Sequence, residues 1–325
     1  MVGRLRIREA LISLMMVSFM PFVFGSQEAC AQDFPTKQIT LVSPYGPGGG
    51  FDLAGRAIAA VAQDYLGQSV YVLLKPGGGG AVGSDYAAKA PPDGYTLFWA
   101  SPGPNCTLPA IEGRSKGPDD FDSVCQMFLS PYLIMAHPSA PFKTFKEMID
   151  WARANPGKLV FGTTGVWGIG DLAWKRIMKE AGITTRIVPY DGGGPAMVAG
   201  LGGHVQALAN SSPVALPHIL TGKIKPLACL DTKRHPQLPD VPTVKESGIN
   251  VVTNMWAGIV APKHTPRPII EKLAAAFKKM SQDKSFIALY RQLDAEAVYL
   301  GPEEFAKFWR EEFEIHREIG RLFKK

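Results

Sequence analysis

Apolar and polar positions along this chain follow two alternating rhythms. Short apolar runs at Ile39–Val42 and Val70–Leu74 read as buried strands, whereas Leu53, Ala57, Ile58, Val61 and Leu66 recur at helical spacing. Asp93-Gly94 turns the chain into a third strand, Tyr95–Ala100, and the apolar stretch Val124–Ala136 reads as a fourth. Thr144-Phe-Lys-Glu147 forms a capping-box pattern that opens a helix ending before Asn155-Pro156-Gly157. Strand patterns then recur at Leu159–Gly162, Arg186–Pro189, Val205–Ala209 and Ile224–Leu230. Between them lie a helix from about Asp171 to Ala181 and two shorter ones, the last ending at Leu220. A late strand at Ala257–Val260 precedes amphipathic helices over Pro268–Met280 and Glu303–Phe323, and Asn105–Asp122 reads as an irregular excursion.

This rhythm predicts an α/β fold of two lobes, each a mostly parallel sheet flanked by helices, with a ligand cleft between them. The expected division is residues 32–137 plus 256–325 for the first lobe and 138–255 for the second. The chain would cross near Met135–Pro138 and Asn254–Gly258. Beyond the βα rhythm no fixed-period repeat stands out.

Two glycine loops follow successive strands. Pro44-Tyr-Gly-Pro-Gly-Gly-Gly-Phe-Asp52 leads from the first strand into the first helix, and Pro76-Gly-Gly-Gly-Gly80 follows the second strand. Such turns leave backbone N–H groups free at a helix N-terminus, where the dipole favours an anion. Asp52 reads as the N-cap of that helix. Polar loops Ser101-Pro-Gly103, Thr163-Thr-Gly165, Tyr190–Pro195 and Asn210–Pro213 also follow strands, the position where open α/β sheets hold ligands. Ser101, Thr163, Thr164, Asn210 and Ser211 offer hydroxyl or amide groups, or serve as ordinary loop and cap residues. Tyr45, Phe51, Trp167 and Tyr190 flank the glycines and either wall the cleft or pack between the lobes. Arg56 pairs with an anionic ligand or with a surface carboxylate.

The first residues differ from the rest. Arg4, Arg6 and Arg8 precede the apolar run Ala10–Phe24, and Ala29-Cys30-Ala31 follows. This pattern reads as a signal peptide covering residues 1–31, cut after Ala31, which directs the protein to the periplasm. Its removal takes three Arg and two Glu from totals of 35 basic and 29 acidic residues, leaving a small, interspersed positive excess. Nucleic-acid binding has no support in that charge pattern. An oxidising compartment permits a Cys106–Cys125 bridge, while Cys229 within an apolar run reads as a buried thiol.

No complete catalytic set stands out. No glycine loop ends in Lys-Ser or Lys-Thr, Gly165, Gly168 and Gly170 do not make G-x-G-x-x-G, and no H-E-x-x-H is present. The six histidines are scattered, and no two cysteines stand at C-x-x-C spacing. The chain therefore reads as a binding protein rather than an enzyme, with no metal and no cofactor.

Phe34-Pro-Thr-Lys-Gln-Ile39, the two glycine loops and Pro92-Asp-Gly-Tyr-Thr96 together resemble the Bug proteins, periplasmic substrate-binding components of tripartite tricarboxylate transporters. Val188–Pro195, Leu201-Gly-Gly-His-Val205, Thr221–Ala228, Pro239–Val244 and Ala257–Pro262 extend the resemblance over the whole chain after the leader. It implies a monomeric two-lobed protein that closes on a small carboxylate and presents it to membrane permease subunits. A ligand-binding component of a signalling system without transport is the alternative. Carried onto this chain, the family's carboxylate-holding positions are Tyr45, Gly46, Gly48, Gly49, Asp52, Gly78 and Gly79. Those meeting the ligand's far end are Thr163, Thr164, Gly165, Tyr190 and Asn210. The family often has Gly-Ser and then His where this chain has Trp167-Gly168 and Asp171, and often Lys where it has Asp191. These departures imply a preference for a monocarboxylate over a tricarboxylate.

Overall fold

The computed structural model describes residues 34–323, so the expected signal peptide lies outside the described residues. Among the described residues eight strands form one continuous hydrogen-bonded path, β2-β1-β3-β9-β4-β7-β5-β6, and a ninth, β8, pairs with β4 off that path. The first sheet holds β1 (Ile39–Ser43), β2 (Val70–Leu74), β3 (Thr96–Ala100), β9 (Asn254–Pro262) and the first part of β4 (Phe121–Ala136). The second holds the rest of β4 with β5 (Val160–Thr163), β6 (Arg186–Pro189), β7 (Ala207–Ser211) and β8 (Lys225–Cys229).

Strand β4 belongs to both sheets. Residues through Pro131 pair with β9, and from Tyr132 onward the partners are β7 and β8. Proline has no N–H to give a ladder, and it stands where β4 changes partners. The returning chain passes beside it: Leu230 N–H donates to Tyr132 O at 2.8 Å, and Thr253 N–H to Leu230 O at 2.7 Å. The change of sheet thus falls a few residues before 135–138, because the apolar run continues unbroken through both sheets. Parallel pairs (β1 with β2 and β3, β5 with β6 and β7) form the expected frame. Antiparallel β4 and β9 complete it, so each sheet is mixed.

Helix α1 (Gly50–Leu66) ends on Gly67 in the left-handed conformation, whose N–H returns to Gln63 O. Its N-cap is Gly49 and not Asp52, which stands in the first turn. Helix α2 (Ala81–Ala88) packs on β3. The first part of Asn105–Asp122, read as irregular, is instead helical: a wide π-helical turn, Gly103–Thr107, continues as α3 (Leu108–Glu112). Asn105 organises it from inside: its Oδ1 accepts from Ser101 N, and its amide donates to Ser84 Oγ and Lys116 O. The density of Gly and Pro hid this turn from any periodicity argument.

Helices α4 (Phe145–Ala154), α5 (Ile169–Ala181), α6 (Gly193–Leu201) and α7 (Ser212–Leu220) follow the strands of the second lobe. Half of the capping box of α4 forms: Thr144 Oγ1 accepts from Glu147 N at 3.2 Å, while Glu147 Oε2 accepts from Lys143 N at 2.7 Å, one residue before the N-cap. Helices α8 (Arg267–Ser281), α9 (Lys284–Gln292) and α10 (Pro302–Arg321) return to the first lobe, where α8 and α10 pack on β4 and α9 on α1. Trp99, Trp174 and Trp309 are fully buried in the core.

Cys106, Cys125 and Cys229 are buried free thiols, so the Cys106–Cys125 bridge is absent. Cys106 belongs to the cluster of Phe98, Phe121 and Trp309, while Cys125 lies near Tyr290 and Tyr299. Burial pushes all three thiols up.

His316 of α10 is buried, and its Nδ1 lies 2.8 Å from Thr107 Oγ1. Burial, reinforced by the charge of Arg176, lowers its pKa to about 4. The unfolded chain therefore binds more protons between pH 6.5 and 4, and stability falls as pH drops through that window. The loss expected from His316 is on the order of 3 kcal/mol, partly offset by Glu312, whose pKa burial raises. Urea unfolding of wild type and His316→Gln at pH 7 and 4.5 checks this. The variant should lose less stability on acidification, and equal losses would contradict the assignment.

Candidate functional site

Four helices begin around one small cavity between the lobes, about 20 Å³ in volume. It is lined by Gly49, Gly50 and Phe51 at the start of α1, Ile169 at the start of α5, Gly192 and Gly193 at the start of α6, and Ser211, the N-cap of α7. Tyr45, Tyr132, Thr164, Asn210 and Met255 complete the wall. First-turn N–H groups have no acceptor within their own helix, and the dipoles add partial positive charge. Four such termini at one cavity make it suited to a single anion. No Lys, Arg, His, Asp or Glu is among the lining residues.

The side chains of the wall hold one another. Tyr132 OH and Thr164 Oγ1 are 2.7 Å apart. Asn210 donates to Gly193 O at 2.8 Å and accepts from Ser211 N at 2.9 Å, which fixes the starts of α6 and α7 together. The Tyr45 ring lies 4.9 Å from Phe51, which meets Trp99 edge-on. Burial raises the Tyr45 phenol to about 12, opposed by the neighbouring Ser101 hydroxyl. Burial also raises the Tyr132 phenol, so both remain neutral hydroxyls near pH 7.

Of the residues expected at the site, Tyr45, Gly49, Thr164 and Asn210 line this cavity. The others take neighbouring positions. Gly46 N–H donates to Asp191 O at 2.9 Å, so it joins the lobes. Gly48 N–H donates to Asp52 Oδ2 at 2.9 Å, and Arg56 Nε lies 2.7 Å from Asp52 Oδ1. Asp52 thus reaches back from the first turn to hold the loop, and Arg56 is its partner. Gly78 and Gly79 form a tight turn away from the cavity, and a Cβ on Gly79 would lie 2.4 Å from Val166 O of the other lobe. Gly165 faces Gly79 across the same approach. Ser101 is buried behind Tyr45, Thr163 ends β5 with its carbonyl accepting from Tyr190 N–H, and Tyr190 packs against the second-lobe core.

Trp167 sits on the rim and not in the wall. Its indole N–H donates to Glu112 of α3, its ring meets Phe323 beyond α10 at 5.9 Å, and Lys175 Nζ lies 3.5 Å over it. These contacts tie the second lobe to the first outside the cavity. Its backbone N–H donates to Asp171 Oδ2 at 2.7 Å, and Asp171 pairs with Lys175 at 2.6 Å. Asp171-Leu-Ala-Trp-Lys175 therefore repeats, at the start of α5, the clamp made by Asp52-Leu-Ala-Gly-Arg56 at the start of α1. The shared D-L-A-x-basic string is the signal a search for long repeats passed over. Tyr132, Ile169 and Met255 were also missed, because each lies in an apolar segment indistinguishable from core.

Ser212, His235 and Asp294 lie together elsewhere. Both Ser212 Oγ and His235 Nε2 approach the same oxygen, Asp294 Oδ2, and His235 Nδ1 accepts from Gln237 N. The imidazole does not stand between hydroxyl and carboxylate, so this is not a nucleophile–base–acid relay. Asp294 extends from the first lobe, which makes the cluster an interlobe tie. Among the described residues no group of three or more His, Cys, Asp or Glu is placed to hold a metal ion.

The family model described as "Tripartite tricarboxylate transporter family receptor" matches residues 54–324. Protein BugT of Bordetella pertussis is 30% identical over 306 residues, covering 90% of this chain and 93% of its own length. Among solved structures, an R. palustris protein with adipate has a TM-score of 0.84 at 29% identity, covering 89% of this chain and 98% of that one. MatC from Rhodopseudomonas palustris with bound malate has a TM-score of 0.84 at 27% identity, covering 88% of this chain and all of its own.

Proposed function

Because the chain belongs to the tripartite tricarboxylate transporter receptor family, we propose that it is a periplasmic solute receptor that captures a small carboxylate and delivers it to the permease subunits of such a transporter. The observation that carries this reading is the convergence of four helix N-termini on one small cavity with no basic side chain in its lining. Oriented N–H groups replace water around a desolvated carboxylate without a buried counter-charge. The adipate and malate bound to the two R. palustris neighbours support the ligand class. Backbone contacts between the lobes, Gly46 with Asp191 and Gly79 with Val166, support closure around the ligand. The lobes are residues up to Pro131 plus those from Asn254 onward, and the segment between.

Thermal unfolding of the purified protein against carboxylates and uncharged solutes of matched shape tests capture. A ligand at a hundred times its Kd adds about 2.7 kcal/mol to stability. Carboxylates alone should raise the melting temperature, and stabilisation by uncharged solutes alone would overturn the reading. Deleting the gene should abolish uptake of the ligand by the cell. Unchanged uptake with a lost transcriptional response would assign the protein to signalling instead.

A further inference from the structure

Resting on the solute-capture reading above, we propose that Trp167 latches the closed form: it is a positioning residue that stays out of the cavity and sets how slowly a bound carboxylate is released. Its backbone is the first observation. Trp167 has φ +57°, in the left-handed region, and among the described residues it is the largest side chain found there. Gly48 holds the matching place in the first lobe, with φ +73°. Each stands one residue before the glycine that caps its helix, and each N–H donates to the aspartate four residues on. Glycine adopts that conformation freely, whereas tryptophan is strained in it. Such strain persists only where surrounding contacts hold it.

The contacts that hold Trp167 come from both lobes. Its own lobe supplies Asp171 and Lys175, whose Nζ lies 3.5 Å over the ring. The first lobe supplies Glu112 of α3, which accepts the indole N–H, and Phe323, edge-on at 5.9 Å. Arg114 Nε donates to the other oxygen of Glu112 and so fixes the carboxylate that meets the indole. Lys179 of α5 reaches the same end of the first lobe, donating to Leu322 O at 3.0 Å. Glu112 and Phe323 are lost to Trp167 when the lobes part, so its strain is fully compensated only in the closed form. The loop that carries the indole is also cavity wall. Thr164 and Ile169, on either side of Trp167, line the cavity, and Gly168 N–H closes the turn onto Gly165 O at 3.0 Å. Contact made outside thus holds the inner face of the same loop, which acts on release rather than on encounter.

The test uses protein unfolded and refolded to strip any carried-over ligand, with a panel of benzoate, 3-methylbutanoate, adipate, malate and citrate as probes. Calorimetry gives Kd for the tightest of the panel, chase of its radiolabelled form gives the dissociation rate, and the association rate follows from the two. Trp167→Gly, which also relieves the backbone, should release the probe about tenfold faster, with an association rate within about threefold of wild type. Glu112→Ala and Phe323→Ala, both outside the cavity lining, should each release it about threefold faster. Glu112→Ala should add nothing in the Trp167→Gly background, since its partner is already gone. Release at the wild-type rate in Trp167→Gly, equal acceleration by Glu112→Ala in both backgrounds, or an effect confined to association overturns the latch while leaving solute capture intact. Binding of none of the probes overturns the capture reading and the latch with it.

Discussion

Gly194→Ala is expected to weaken ligand binding at least 100-fold while leaving the ligand-free fold as stable as before. Gly194 is the second residue of α6, and a Cβ there would lie 2.1 Å from Pro47 O and 3.1 Å from Gly48 C of the facing lobe. Both obstacles are backbone, so no side chain can swing aside. The backbone of Gly194 is not in the left-handed region, so alanine there meets no backbone strain of its own. The substitution is therefore harmless within its own lobe and obstructive only when the lobes approach. A 100-fold loss corresponds to about 2.7 kcal/mol, a modest demand for a methyl group forced into a carbonyl oxygen. Val198→Ala, at an exposed position of the same helix, serves as the control and should bind normally. Calorimetry with the best carboxylate checks the pair. Affinity within threefold of wild type for Gly194→Ala would show that the bound state does not need this approach.

Trp309→Ala is expected to cost about 3–5 kcal/mol of stability, the range for removing a fully buried aromatic ring. The indole is stacked on Phe305 at 5.9 Å, tilted against Phe121 at 6.3 Å, and fully buried. Its Nε1 donates to Asn105 O at 3.2 Å, the residue whose side chain holds the turn after β3. The alanine variant leaves both a cavity and an unmatched carbonyl. Trp309→Phe keeps most of the ring volume and should cost about 1–3 kcal/mol, chiefly the unsatisfied acceptor. In chemical unfolding the two variants should separate by at least 1 kcal/mol. Equal losses would mean that the hydrogen bond, not the ring, carries the site. Neither substitution touches the cavity lining, so ligand affinity per folded molecule should be unchanged.

Much of the fold was legible because strand and helix periods alternate cleanly, and the capping box at Thr144 and the turn at Asp93-Gly94 are local signals. The antiparallel role of β4 was not legible. Its apolar run is equally consistent with one central strand or with a strand shared by two sheets, and only the pairing on either side of Pro131 decides. The site was legible in part for a related reason. A glycine loop announces free N–H groups, but not whether they face a ligand, their own helix or the opposite lobe. Gly49 faces the cavity, Gly48 bonds Asp52, and Gly46 bonds Asp191. Trp167 shows the same limit from the side-chain end: its position beside a ligand-side loop is as expected, yet its ring turns outward to Glu112, Lys175 and Phe323. Cavity walls made of Tyr132, Ile169 and Met255 are chemically the same as core until the lobes are brought together.

The central claim is that a single carboxylate sits among the helix starts at Gly49–Gly50 and Gly192–Gly193. A crystal structure with the tightest-binding carboxylate of the panel tests it most directly. The account predicts carboxylate oxygens within hydrogen-bond distance of main-chain N–H groups from both lobes, with no basic side chain in contact. A ligand held instead by Arg56, Lys175 or Arg176, or seated outside this cavity, would contradict it.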